Sequence, residues 1–200
     1  KNILFRDMNI LLYVYIYESF KKVIDTYETL NILVNIAGIM DDADWEIMVD
    51  INYKGIVYGT ILGLHTMGKY KGGNGGIIVN MSSVAGLEGI PIAPIYGGTQ
   101  YAIVGFTQSL KPKHYYEKTG IRMLTICPGL TTTVILFTVL ANTLYWHSVV
   151  LWRYINNRKI RWPEHVGNAM VKLIEKGKNE AVWVCKEGYL EFVSPKVFQK

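Results

Sequence analysis

Gly75-Gly76-Ile77-Ile78-Val79-Asn80-Met81-Ser82-Ser83-Val84-Ala85-Gly86 is the stretch on which the fold turns. Ile77 to Met81 is apolar but for one Asn and shows no alternation of apolar with polar, the pattern of a strand covered on both faces. Glycines bound it on the amino side and small residues on the carboxyl side. Working outward, Ile121 to Cys127 repeats the pattern and stops at Pro128-Gly129, Asn31 to Asn35 runs into Ala37-Gly38, Ala181 to Cys185 closes the series and Ile3 to Phe5 opens it. Helical patterns separate these runs: about Trp45 to Tyr70, ended by Lys71-Gly72-Gly73-Asn74; Tyr96 to Leu110, ended or kinked by Pro112; and Pro163 to about Glu175, with the proline in its first turn. The segment after Phe5 is ambiguous, since Ile10 to Tyr17 has strand composition while Tyr13, Ile16, Phe20, Val23, Ile24 and Tyr27 form a helical stripe; a helix from an Asn9 cap is expected. Strands alternating with helices specify an α/β fold, a parallel sheet with helices on both faces in three layers. Neither repeat nor linker divides the chain, which reads as one domain over 1–200 with a lid over 130–162.

Half of the residues are hydrophobic and 18% are charged, enough to bury a core. The net charge of +5 is spread out. Its densest basic stretch, Arg153, Arg158, Lys159 and Arg161, reads as solvated surface, so no nucleic-acid partner is expected. Cys127 and Cys185 are too few for a disulfide framework and imply a reducing compartment. The chain opens at Lys1 with no secretory signal pattern, and its start reads as a truncation. Thr133 to Trp152 carries no formal charge over twenty residues, long enough to cross a bilayer. Its interruption by Thr138, Asn142, Thr143, His147 and Ser148 favours a buried lid over a membrane segment. His65, His114, His147 and His165 have no ligand spacing, and no metal site is expected.

In open parallel sheets ligands sit beyond the carboxyl ends of the strands. There stand Asn35-Ile36-Ala37-Gly38, then Ser82-Ser83, then Pro128-Gly129 with Thr131, Thr132 and Thr133; Tyr96 opens the intervening helix, with Gln100 four residues on. This arrangement resembles the short-chain dehydrogenase/reductase family. That family's core is an Asn-Asn-Ala-Gly turn, a helix Asn, a strand-end Ser, a Tyr thirteen residues later with a Lys four beyond it, and a Pro-Gly loop. Here Asn35-Ile36-Ala37-Gly38, Asn52, Ser83, Tyr96, Gln100 and Pro128-Gly129 come in that order, with thirteen residues from Ser83 to Tyr96. The likeness covers residues 1 to 133 well and the remainder loosely.

The resemblance implies a Rossmann-like sheet lacking the first βαβ unit, NAD as cofactor, and an apolar, lipid-like or prostaglandin-like alcohol or ketone as substrate. It implies catalytic roles for Tyr96, Ser83 and Asn52 and for Gln100 at the lysine position. Cofactor contacts would come from Asn9, Ile10, Asn35, Ile36, Ala37, Gly38, Tyr96, Gln100, Pro128, Gly129, Thr131 and Thr133. Substrate contacts would come from Ser83, Ala93 and Tyr96. By the same resemblance Ile3 to Phe5 matches the third strand of the complete fold, the protein is cytoplasmic, and it pairs as a homodimer through the helices 45–70 and 96–110.

The chemistry can be stated apart from the name. Oxidation of an alcohol needs a base for the hydroxyl proton, and a phenol of unperturbed pKa about 10 is only about one part in a thousand ionised at neutral pH. A lysine one helical turn away lowers that pKa; Gln100 carries no charge and cannot. Lys54, Lys69 and Lys71 are formal substitutes. Ile36 replaces a second polar residue, and the Gly-rich turn that faces a dinucleotide's diphosphate is missing. Glycines 72, 73, 75 and 76 precede a strand instead of following one, so they read as a turn. The reading is therefore an NAD-dependent oxidoreductase of impaired activity. Its rivals are a non-catalytic binding protein of the same fold and a peripheral membrane protein using Thr133 to Trp152.

Overall fold

Among the described residues four parallel strands and an antiparallel fifth at one edge form a single sheet in which each strand lies beside the next in sequence. The computed structural model describes residues 2–133, 135, 160–179, 182–186 and 189–193. Its strands are β1 (Ile32–Asn35), β2 (Gly76–Met81), β3 (Ile121–Pro128), β4 (Val182–Lys186) and β5 (Tyr189–Phe192). The described helices are α1 (Asn2–Tyr27), α2 (Trp45–Val49), α3 (Gly55–Met67), α4 (Pro94–Ser109), α5 (Lys113–Thr119) and α6 (Pro163–Lys176). A π-helical segment, Asp50–Lys54, joins α2 to α3.

Successive residues of the central strands point to opposite faces, and both faces are buried. Ile78 and Met123 pack with Met67, Leu33, Leu64 and Leu110 on one side. Their neighbours Val79 and Leu124 pack with Ala169, Met170 and Leu173 of α6 on the other. This is why the strands read as unbroken apolar runs, and it makes the three layers expected of the sequence. The one polar residue in β2, Asn80, is fully buried and hydrogen-bonded through both the oxygen and the nitrogen of its amide. Its Oδ1 accepts from Asn35 Nδ2 at 2.8 Å and from Thr60 Oγ1 at 3.3 Å, and its Nδ2 donates to Thr107 Oγ1 at 2.9 Å. One amide thus ties β1, α3 and α4 to the sheet. Gly59 makes room for it, since a Cβ there would lie 2.4 Å from Asn35 Oδ1.

Several expectations are corrected. Ile3 to Phe5 is not a strand: residues 2–27 form one helix, and Asn9 stands inside it rather than at its cap. A three-residue strand has no neighbour here to hydrogen-bond, whereas a helix satisfies its backbone internally. The helical stripe is correct for Ile16, Phe20, Val23 and Ile24, which are half-buried, but not for Tyr27, which is 71% exposed. α1 meets α3 through Tyr13, whose ring stands edge-on to Tyr58 at 5.3 Å. The long helix stops at Met67 rather than Tyr70, and α5 and the antiparallel β5 were not anticipated. The glycines before β2 do form a turn: Gly72, Gly75 and Gly76 all have positive φ, and Gly76 N donates to Gly120 O at 3.1 Å. Most of the lid and of Thr133–Trp152, together with Arg153, Arg158 and Lys159, lies outside the described residues. Among the described residues no helix is long and apolar enough to cross a membrane.

Candidate active site

The loops that leave β1, β2 and β3 at their carboxyl ends face one another across a cavity of about 420 Å³. That volume lies within the usual range for a ligand pocket, about 300–1,000 Å³. Ser83 and Tyr96 are on its wall, with Ile36 and Met40 from the first loop, Pro128, Gly129, Thr131 and Thr133 from the third, and Val166 and Met170 of α6. Most of the wall is hydrocarbon, so a hydroxyl-bearing apolar molecule would meet its polar contacts mainly at Ser83, Tyr96 and the threonines.

Local structure explains each placement. Ser83 follows β2 and caps a short 3₁₀ turn, its Oγ accepting from Ala85 N at 3.2 Å and donating to Pro128 O at 3.5 Å. Tyr96 sits in the first turn of α4, which Pro94 opens at a position where no N–H is needed. Its ring packs against Met40, Ala85, Ile90, Ile92 and Ala93. Asn52 lies in the π-helical segment, a distortion that recurs at functional sites. It is 1% exposed and does not line the cavity. Its Oδ1 accepts from Ile39 N at 2.8 Å, and its Nδ2 donates to Ile39 O at 2.8 Å and to Thr99 Oγ1 at 3.2 Å. One of its amide protons is therefore committed to the loop after β1 and the other to α4. A side chain at Gly38 would crowd it, since a Cβ there would stand 3.3 Å from Asn52 Oδ1.

Gln100, one turn after Tyr96, is buried and absent from the cavity wall. Its Nε2 donates to Thr99 Oγ1 at 3.3 Å, and its backbone oxygen accepts from Ser82 Oγ at 3.0 Å. Of the three lysines weighed as substitutes, Lys54 is ion-paired with Asp50. Lys69 and Lys71 lie in the turn that leads into the amino end of β2, at the opposite end of the sheet. Asn35, expected at the cofactor, instead spends its amide on Asn80 and Thr60. Ala37, Gly38 and Ala93 are off the cavity wall. Asn9 and Ile10, expected as cofactor contacts at the start of a helix that follows a strand, lie within α1.

Sequence reasoning missed two residues. Asp42 accepts from the backbone N–H of Ile95 and Tyr96, and nothing in Asp41-Asp42-Ala43-Asp44 points to a partner more than fifty residues on. Arg161 is half-buried, not a solvated cation: its backbone bridges Thr131, and its guanidinium covers Gly129, where a Cβ would lie 2.1 Å from Nη1. The buried Cys127 sits under the site, and burial pushes its thiol up to about 12 against a partly offsetting hydrogen bond from Ser82.

The short chain dehydrogenase family profile matches residues 1–142. The chain belongs to the short-chain dehydrogenase/reductase family. Alcohol dehydrogenase 1 of Ceratitis cosyra is 37% identical over 181 residues, 90% of this chain and 70% of that one. Mouse (Mus musculus) 15-hydroxyprostaglandin dehydrogenase (NAD(+)) is 44% identical over 119 residues, 60% of this chain and 44% of that protein. The solved structure of ElxO with NADP bound superposes with a TM-score of 0.66 over 88% of this chain and 74% of that one; at 23% identity the likeness is one of fold. The protein is thus an oxidoreductase of the short-chain dehydrogenase type.

Whether the residues present suit a nicotinamide dinucleotide divides by region. At the nicotinamide end they do: Ser83, Tyr96 and the Pro128–Thr133 loop share one cavity beyond the strand ends. At the diphosphate end they do not, because among the described residues no Gly-rich turn links the carboxyl end of a strand to a helix beside β1.

Proposed function

We propose that this short-chain dehydrogenase oxidises a secondary alcohol of apolar, lipid-like character to a ketone with NAD, at a rate held down by Gln100. The observation that carries the reading is the shared wall: Ser83 and Tyr96 face the same mainly hydrocarbon cavity. Ser83 holds the alcohol oxygen, and Tyr96 takes the hydroxyl proton as the C–H bond gives up its hydride. Bound NAD supplies the hydride acceptor. Asn52 acts through the loop it pins, by way of Ile39. The choice of NAD is supported by the mouse relative, which is named for NAD(+) and shares 44% identity over 119 residues.

The weak element is the base. Gln100 stands where the family carries a lysine, and its amide, turned onto Thr99, cannot carry the charge that would stabilise a phenolate at Tyr96. That same observation favours a second reading, a non-catalytic protein that keeps the cavity for binding. Assays with NAD and secondary alcohols of increasing chain length decide between them. On the first reading slow turnover is detectable, Tyr96→Phe removes it, and Gln100→Lys raises it tenfold or more, since a competent general base is worth at least about that. Turnover indifferent to Tyr96→Phe overturns the catalytic assignment. A protein that binds alcohols without ever oxidising them supports the second reading. We also propose that NADH binding by this chain is weaker than micromolar, to be measured by fluorescence titration, because the described residues include no Gly-rich turn between a strand and a helix of the kind that holds a diphosphate. Pairing through α3 and α4 is proposed on the exposure of Ile61 and Tyr101, and a cytoplasmic setting on the two buried thiols.

A further inference from the structure

The first turn of α4 has a problem that its own sequence does not solve. The opening N–H groups of a helix have no intrahelical acceptor. Pro94 has none to satisfy, and the first helical bond belongs to Gly97 N, which donates to Ala93 O at 3.0 Å. That leaves Ile95 and Tyr96, and the cap residue, Ala93, has no side-chain acceptor. The acceptors come from elsewhere in the chain. Asp42 Oδ2 accepts from Ile95 N at 2.9 Å and Oδ1 from Tyr96 N at 3.0 Å, and Asp42 is 2% exposed.

We infer that Asp42 is a positioning residue for Tyr96, the carboxylate that fixes where the phenol stands over the cavity. The inference rests on the reading of Tyr96 as the proton acceptor. Two features make Asp42 more than a helix cap. The loop that carries it, residues 36–42, also supplies Ile36 and Met40 to the cavity wall. That loop is stitched to α4 a second time through Asn52, which bonds Ile39 on one side and Thr99 on the other. Loop and helix are therefore held at two points one turn apart, and Tyr96 lies at the first. A carboxylate also suits a helix amino terminus electrostatically. A local cap at residue 93 would satisfy the same N–H groups but would leave the loop free to move relative to the ring.

That last distinction provides the test. The full chain is labelled with 3-fluorotyrosine, and the position-96 resonance is assigned by its loss in Tyr96→Phe. Asp42→Asn keeps the size of the side chain but presents an amide where a second acceptor is needed. The expected result is a shift of the position-96 fluorine resonance by more than its linewidth, with the Tyr53 and Tyr101 resonances in place. Adding Ala93→Ser should then recover the thermal midpoint lost in Asp42→Asn without returning the resonance. If Ala93→Ser restores both, or if Asp42→Asn moves neither, Asp42 is only a cap and the inference is overturned. Should Asp42→Asn fail to fold, hydrogen exchange in the unaltered protein still decides. Ile95 and Tyr96 amides must exchange at least about 100-fold more slowly than an unpaired amide, and fast exchange at either refutes the tie. These readouts need no turnover, so they stand apart from Tyr96→Phe assays, which test the base itself.

Discussion

β2 and β1 lie side by side in one sheet under different conditions. β2 is hydrogen-bonded along both edges, to β1 and to β3, and its Ile78 and Val79 are fully buried. β1 pairs only with β2 among the described residues; its Ile32 is 46% exposed, and Ile36, just past its end, 58%. The loops that follow differ in the same way. Ser82 and Ser83 are anchored by short-range geometry and by backbone oxygens of α4 and Pro128. The loop after β1 is held by long-range polar ties, Asn52 to its Ile39 and its own Asp42 to the backbone of α4. Ser83 thus stands just past the doubly supported strand, and the edge loop depends on polar ties that single substitutions can cut.

The largest expected difference between these regions is in packing. Leu124 is fully buried on β3 between β2 and α6. Leu124→Ala should cost about 3 kcal/mol of unfolding free energy in urea titrations, through lost contacts and the cavity left behind. A cost below about 1 kcal/mol would mean that the sheet interior is looser than its burial implies.

Next comes the amide network that joins the two strands. Asn80→Ala removes one partner each from Asn35, Thr60 and Thr107, and a buried polar group left unpaired costs about 1–3 kcal/mol when it cannot relax to water. A loss of about 2 kcal/mol is expected for Asn80→Ala and about half that for Asn35→Ala, because Asn35 is half-buried at the edge. Equal losses would erase the contrast between edge and interior.

How much of this was legible in the sequence follows from the range of the forces involved. β2 and β3 could be read residue by residue, since burial on both faces writes itself as an unbroken apolar run. Ser83, Tyr96 and Pro128 were singled out because they stand beyond the strands in a family-like order, and the fold places all three on one cavity wall. Asp42 was not, because its partners lie on another element, and an Asp in an Asp-rich turn has a sufficient local explanation. Arg161 was misread for the same reason: only the fold shows that its guanidinium rests on Gly129. The opening strand failed because a strand is a property of two segments, and Ile3 to Phe5 has no described neighbour.

A smaller effect concerns Cys127. Its thiol has an ordinary value of 9.0 and is pushed up to about 12 by burial, so the unfolded chain loses this proton first as pH rises. The group's contribution is complete below about pH 9 and declines above it, by at most about 1.4 kcal/mol per pH unit until the folded thiol titrates. Cys127→Ala should flatten the alkaline limb of stability measured between pH 9 and 11. The folded protein at pH 8 should also react with a thiol reagent only as fast as it opens, because the thiolate is the reactive form.

The smallest effect is expected at the edge itself. Ile32→Thr keeps β-branching, which suits a strand, and exchanges an ethyl group for a hydroxyl at a position almost half open to water. Its cost should stay below about 0.5 kcal/mol, the ordinary range for exposed positions. A cost above about 1.5 kcal/mol would show that Ile32 is covered in solution. Repeating the titration over a hundredfold range of protein concentration then identifies the cover: a second copy of the chain makes the cost grow with concentration, whereas a contact within the chain leaves it constant. Either outcome would move β1 out of the class of lightly supported edge strands, and the dependence of its loop on Asn52 and Asp42 would have to be reweighed.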